Sequence, residues 1–176
     1  MSDRIEGRIF QLNCSAGGVP KLPIRASVLT ATGLECDRQA HPKFHGGQER
    51  AVCLYALELI HRLQAEGHPI YPGSIGENVT TSGLDWAALA PGSRLAIGGE
   101  VLIEITSYTV PCKNIAGSFL DRQFKRVDQR LRPGDARLYA RVLRTGHVEV
   151  GQTIRVLDAS GEGDSEASGE TRSKVT

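Results

Sequence analysis

Residues 94–106 read RLAIGGEVLIEIT, two apolar runs separated by Gly98 and Gly99. Each run has the composition of a β-strand, and a Gly-Gly pair between two such runs is typical of a hairpin turn. The stretch therefore predicts two strands, at residues 94–97 and 101–106, that pair with each other.

Similar strand-like runs lie on both sides of this hairpin, at residues 7–12, 25–29, 138–143 and 153–157. Thr145 and Gly146 form a second turn that is short enough for a hairpin. Twenty glycines, eight prolines and 5% aromatic residues favour many turns between short elements. The predicted fold class is mainly β, with the strands arranged as a barrel or a folded sheet.

Two segments predict helices. In residues 54–63, apolar side chains recur near helical spacing, and Gly67 ends the pattern before Pro69. A second, weaker pattern runs from Asn114 to Phe124 and begins with a residue that often caps helices. We expect an amphipathic helix in the first segment and a short helix directly after Cys112 in the second.

Length and charge limit the classes of function. The chain has 176 residues and a formal net charge of +1, so we expect one domain over residues 1–158 and no DNA or RNA partner. No stretch approaches the ~20 apolar residues of a spanning helix, and the charged N-terminus is unlike a signal peptide. We therefore expect no membrane association and a cytoplasmic location. Residues 159–176 are polar and predict a disordered tail.

Four cysteines are present without CxxC spacing: Cys14, Cys36, Cys53 and Cys112. A reducing compartment would keep all of them as thiols. Cys112 stands out, because it lies between Pro111 and Lys113 directly after a strand. A neighbouring cation and a helix start both favour the thiolate, which is the form that attacks electrophiles and binds metals. The alternative is a small buried apolar residue, as most intracellular cysteines are.

Two loops carry further candidate residues. Residues 37–50 include Asp37, Arg38, His45 and Arg50 beside Gly46 and Gly47, a composition that suits an anion-binding loop. An exposed, solubilising loop is the alternative. Residues 72–78 end in Asn78, whose amide either satisfies a turn or faces a polar ligand.

In order along the chain, GL at 33–34 with Asp37, HGG at 45–47 with RAV at 50–52, PG at 72–73 with GEN at 76–78, and PC at 111–112 resemble the MOSC family. This family is named for the C-terminal domain of molybdenum cofactor sulfurase. The resemblance covers residues 6–157. Two departures are Cys36 before Asp37, where stand-alone relatives often have glycine, and Val110, where some have serine.

The resemblance implies a β-barrel-like fold with peripheral helices and molybdenum cofactor (molybdopterin) as the bound group. Cys112 corresponds to the family's functional cysteine, a soft sulfur ligand for molybdenum. Lys21, Asp37 and Arg38 match the family's anion and pterin contacts. The remaining pocket candidates rank below these: His45, Arg50, Asn78 and Asn114.

The function that the resemblance implies is reduction of N-hydroxylated small molecules, with electrons from a separate protein partner. Two alternatives stay open. One is a sulfur carrier that bears a persulfide on Cys112. The other is a carrier that binds molybdenum cofactor without catalysis.

Overall fold

The computed structural model describes residues 5–37 and 46–157. Eleven β-strands lie within these ranges, and their bounds are β1 (Glu6–Cys14), β2 (Leu22–Ile24), β3 (Ala26–Thr30), β4 (Gly33–Leu34), β5 (Val52–Ala56), β6 (Val79–Ser82), β7 (Arg94–Ile97), β8 (Val101–Tyr108), β9 (Leu138–Arg144), β10 (Gly146–Glu149) and β11 (Thr153–Leu157). One α-helix among these residues, α1, spans Leu57–Ala65. Short 3-10 helices cover Gln48–Arg50, Trp86–Ala88, Lys113–Ser118, Leu120–Arg122 and Phe124–Val127.

Seven of the described strands close into a barrel in the order β1-β6-β5-β9-β8-β7-β11, with β11 pairing back onto β1. The pair β5–β6 is parallel, and the other pairs of the barrel are antiparallel. Strand β2 extends the sheet beside β1. A second sheet has the order β10-β3-β4. The predicted mainly β, barrel-like class is confirmed, and closure leaves few sheet edges open to other chains.

The hairpin at residues 94–106 forms as predicted, since Ile97 lies opposite Val101 in the β7–β8 pair. Along β8, Val101, Ile103 and Ile105 are buried in the core, while the residues between them are partly exposed. The second hairpin prediction is wrong. Strand β10 pairs with β3, not with β9, so Thr145 is a corner between two sheets.

Helix α1 presents Leu59, Ile60 and Leu63 to the core, and the chain reverses at Gly67, which has a φ of 98°. The predicted helix began too early, because the segment around Leu54 is strand β5. All five side chains of β5 are buried. A strand that is covered on both faces has no alternating pattern, so its apolar run is indistinguishable from one turn of a buried helix.

The helix predicted between Asn114 and Phe124 is instead a series of 3-10 turns. Phe119 has extended backbone angles, and Asp121 and Arg122 have positive φ values of 50° and 57°. A right-handed helix cannot continue through such residues. Asn114 caps no helix, since Cys112 is the residue that precedes the first turn.

The expectation that all four cysteines are thiols is wrong for two of them. Cys14 and Cys36 form a disulfide with a Cα–Cα distance of 5.9 Å, whereas Cys53 and Cys112 are free. The bond ties the end of β1 to the turn before Asp37. The tail at residues 159–176 lies outside the described residues. In the part of the chain that is described, no helix is long and apolar enough to cross a membrane.

A thiol count tests the disulfide. Alkylation of the denatured, unreduced protein is expected to label only the two free cysteines, Cys53 and Cys112. After reduction with a dithiol, Cys14 and Cys36 should be labelled as well, which peptide mass spectrometry would show. Labelling of Cys36 before reduction, in protein purified without reductant and with exposed thiols blocked at lysis, would contradict the bond.

Candidate functional site

Cys112 lies where strand β8 gives way to the Lys113–Ser118 turn. Its side chain is half-buried, and its carbonyl accepts a hydrogen bond from the Ile115 amide at 3.2 Å. Just before it, the Thr109 amide donates to the Arg137 carbonyl at 2.9 Å, which fixes this segment against the start of β9. The Lys113 side chain points to solvent. The sulfur is thus held on an ordered turn and retains partial access to solvent.

A buried polar network joins three of the predicted site residues. The Lys21 ammonium donates to Asp37 Oδ2 at 2.5 Å, and Asn78 Nδ2 donates to the same oxygen at 2.7 Å. Asp37 Oδ1 accepts the Ser15 amide at 2.9 Å. The side chains of Lys21 and Asp37 are only 10% and 7% exposed. Both carboxylate oxygens of Asp37 therefore accept hydrogen bonds from the protein, and Asp37 fixes the position of the Lys21 ammonium.

Asn78 connects this network to strand β5. Its Oδ1 accepts the Cys53 amide at 3.0 Å, and its Nδ2 also donates to the Asn13 carbonyl at 3.4 Å. Since its amide group already contacts three elements of the protein, the structure gives Asn78 a positioning role rather than that of an open ligand donor. Asn78 thus holds strand β5, the end of β1 and Asp37 together, and its contact with a ligand remains a prediction.

Cys53 and Tyr139 lie opposite each other in the β5–β9 pair, on the face turned away from the core residue Leu54. Burial raises the pKa of the Cys53 thiol, whose sulfur lies 3.9 Å from Thr109 Oγ1. The Arg50 guanidinium lies over the Tyr139 ring, 5.6 Å from its centroid. Arg50 is thus brought to the same face as Cys53.

Tyr139 interacts electrostatically with Cys112 as well as with Cys53 and Arg50. Burial raises the pKa of Tyr139 to about 12, and the charges of Cys53, Arg137, Arg50 and Cys112 all act on the phenol. Tyr139 therefore stays protonated at neutral pH. Tyr139 thus lies opposite Cys53 and beneath Arg50, and the Thr109–Arg137 hydrogen bond joins the segment before Cys112 to the start of β9.

Sequence reasoning missed Arg137, which lies directly before β9 and is only 7% exposed. Its Nη1 donates to the Ile75 carbonyl at 2.5 Å. The preceding residues are anchored by two bonds: Tyr55 Oη donates to the Asp135 carbonyl at 2.8 Å, and Trp86 Nε1 donates to the Ala136 carbonyl at 3.0 Å. A basic residue between a Pro-Gly turn and an apolar strand was the available signal.

Glu77 belongs to the GEN motif at residues 76–78 but was not among the predicted site residues. It is fully buried, and its Oε1 accepts the Gly73 amide at 2.7 Å and the Thr80 hydroxyl at 3.0 Å. Its Oε2 has no hydrogen-bond partner among the described residues. Burial raises the pKa of Glu77, which favours the protonated carboxyl, although the nearby Arg137 opposes this shift.

The remaining predicted site residues are Arg38, His45 and Asn114. Arg38 and His45 lie outside the described residues. Asn114 is exposed on the turn after Cys112. Within residues 5–37 and 46–157, no group of three or more His, Cys, Asp or Glu side chains is arranged to hold a metal ion.

A family model described as "MOSC domain" matches residues 41–155, so the chain belongs to the MOSC domain family. The resemblance seen in the sequence is confirmed. Among curated relatives, a protein named "Reductase" from Gibberella moniliformis (strain M3125 / FGSC 7600) is 34% identical over 134 residues, which are 73% of this chain and 23% of that protein. "Uncharacterized protein YflK" of Bacillus subtilis (strain 168) is 28% identical over 149 residues, 83% of this chain and 66% of YflK.

"Protein YiiM" of Escherichia coli (strain K12) is 34% identical over 89 residues, 48% of this chain and 39% of that protein. The matched region covers 23% of the reductase, 39% of YiiM and 66% of YflK, so the chain spans only part of the length of these relatives.

Solved structures share the fold. YiiM from Geobacillus stearothermophilus has a TM-score of 0.66 at 21% identity, covering 86% of this chain and 75% of that one. The YUAD protein from Bacillus subtilis has a TM-score of 0.68 at 19% identity, covering 86% and 95%.

Proposed function

We propose that this MOSC domain protein binds molybdenum cofactor and reduces N-hydroxylated compounds, with Cys112 as the sulfur ligand of molybdenum. The observation that carries the proposal is the half-buried free thiol of Cys112, three residues after Thr109, which bonds to the Arg137 carbonyl and lies beside the Cys53 sulfur. Membership of the family supports the cofactor, and the name of the fungal relative supports the reaction class.

The residues of the site fit the proposed cofactor by their chemistry. A pterin cofactor carries an anionic phosphate and polar rings, and its metal accepts a soft thiolate ligand. Cys112 is the accessible sulfur of the site, because Cys53 is buried and its pKa is raised. Basic side chains suit the phosphate. When bound, the cofactor supplies two-electron redox chemistry.

The roles of the chain's own residues follow from their contacts. Cys112 holds the metal side of the cofactor, and Lys21, kept in place by Asp37, faces its anionic side. Tyr139 keeps its phenol proton at neutral pH, since its pKa is about 12. Reduction of R-NHOH to R-NH2 consumes two electrons and two protons and releases one water. We propose that a separate protein donates the electrons.

The test uses protein loaded with molybdenum cofactor and a reduced viologen dye as electron source. Incubation with hydroxylamino bases and amidoximes is expected to yield the amines and amidines, one per two electrons consumed, as measured by chromatography. The same protein without cofactor is the control. Loaded protein that leaves the whole panel unchanged would contradict the proposal, and a sulfur found on Cys112 after treatment with a cysteine desulfurase would then favour a sulfur carrier.

A further inference from the structure

Arg137 is a buried cation that pairs with no carboxylate of the described residues. It is 7% exposed, and none of the ion pairs formed by described residues includes it. Its one hydrogen bond to a described residue goes to the Ile75 carbonyl. Burying a guanidinium without a counter-charge is costly. By contrast, Arg126, whose side chain is 12% exposed, pairs with both Glu66 and Asp135.

The nearest acidic group does not supply the missing charge. Glu77 interacts electrostatically with Arg137 but uses its Oε1 for Gly73 and Thr80. Its Oε2 makes no hydrogen bond to any described residue. Burial also raises the pKa of Glu77, which lowers the negative charge that it offers. Arg137 therefore lacks a full counter-charge among the described residues.

Arg137 lies next to Lys21 across Gly76. A Cβ atom built on Gly76 would lie 3.9 Å from Arg137 Nη1 and 4.0 Å from Lys21 Cε. Gly76 has a φ of 88°, and a side chain there would also press on Val19 at 3.0 Å. Both cations act on the Cys53 thiol as well. A side chain at residue 76 would therefore contact both cations.

We propose that Arg137 binds an oxyanion at this site, together with Lys21. If the proposed function is correct, this anion is the phosphate group of the cofactor, so the identification of the anion rests on that function. The planar guanidinium offers several N-H groups in one plane, a geometry that matches a phosphate better than a point charge does. Asp37 holds Lys21 in place, so Arg137 contributes the uncompensated charge.

The first test uses the purified protein without cofactor and inorganic phosphate as the probe. Thermal unfolding is followed at constant ionic strength, with chloride replaced by phosphate. A saturable rise in Tm of about 4 °C is expected at ten times the dissociation constant. Arg137→Gln should abolish this rise. Arg132→Gln removes the same charge from an exposed position of the same segment and should keep it.

A second variant keeps the test decisive if Arg137→Gln does not fold. Arg137→Lys keeps the charge but loses the planar fork, and we expect about tenfold weaker phosphate binding. Equal dissociation constants for the native protein and Arg137→Lys would overturn the proposal, as would a Tm rise that survives in Arg137→Gln. No Tm response in the native protein would overturn it too.

The outcome is separable from that of the proposed function. Phosphate binding is measured without cofactor or turnover, so a positive result stands even if no N-hydroxylated compound is reduced. Conversely, an active reductase whose Arg137→Gln variant retains cofactor as tightly as the native protein would refute the role of Arg137 alone. Cofactor retention is measured as pterin fluorescence after oxidation of the dialysed protein.

Discussion

Cys112→Ser is expected to lower the affinity of the cofactor-loaded protein for molybdenum on the order of 100-fold, with a matching loss of turnover. Serine keeps the size and position of the side chain but replaces a soft sulfur by a hard hydroxyl that stays protonated at neutral pH. The turn before Ile115 should be unaffected, because it is closed by the Cys112 carbonyl rather than by the sulfur. Molybdenum per protein after dialysis, measured by inorganic mass spectrometry, gives the result.

Cys53→Ala is the matched control for the thiol. Cys53 is the other free cysteine, but it is buried and its pKa is raised, so its thiolate is disfavoured. We expect Cys53→Ala to retain molybdenum and most of the turnover. Equal molybdenum in Cys112→Ser and the native protein would leave Cys112 without its proposed role, and a loss in Cys53→Ala alone would move that role to Cys53.

The strands that the sequence predicted well are those with one buried face. Along β8, the alternation of Val101, Ile103 and Ile105 with partly exposed residues marks the strand directly. Strand β5 was missed because both of its faces are buried, one by the core and one by the site. The partner of β10 was also missed, since a short turn permits a hairpin but does not require one.

The candidate site was predictable where its residues carry local signals. Cys112 follows a proline at a strand end, and Asp37 and Asn78 lie in turn-rich segments. Arg137 has only a weak local signal, its place between a Pro-Gly turn and a strand, because the residues that define its surroundings, Ile75, Gly76 and Glu77, lie about sixty residues earlier in the chain. The Cys14–Cys36 disulfide was beyond reach for a similar reason, since spacing alone does not fix which cysteines meet.

Asp37→Ala is expected to lower the free energy of unfolding by about 3 kcal/mol. The substitution leaves the Lys21 ammonium buried without a counter-charge and removes the acceptor of Ser15 and Asn78. Urea unfolding at pH 7 with the disulfide intact would measure the loss. Asp85→Ala, at an exposed position, should change stability by less than about 0.5 kcal/mol.

A double variant separates the charge from the hydrogen bonds. Lys21→Met keeps much of the apolar length of the lysine and removes the cation, so Lys21→Met combined with Asp37→Ala buries no unpaired charge. We expect the double variant to be more stable than Asp37→Ala by about 1 to 2 kcal/mol. If instead the double variant is the less stable of the two, Asp37 stabilises the site mainly through Ser15 and Asn78. In that case the Lys21–Asp37 ion pair contributes little to stability. Arg137 would then be the residue that both orients a bound anion and supplies the positive charge.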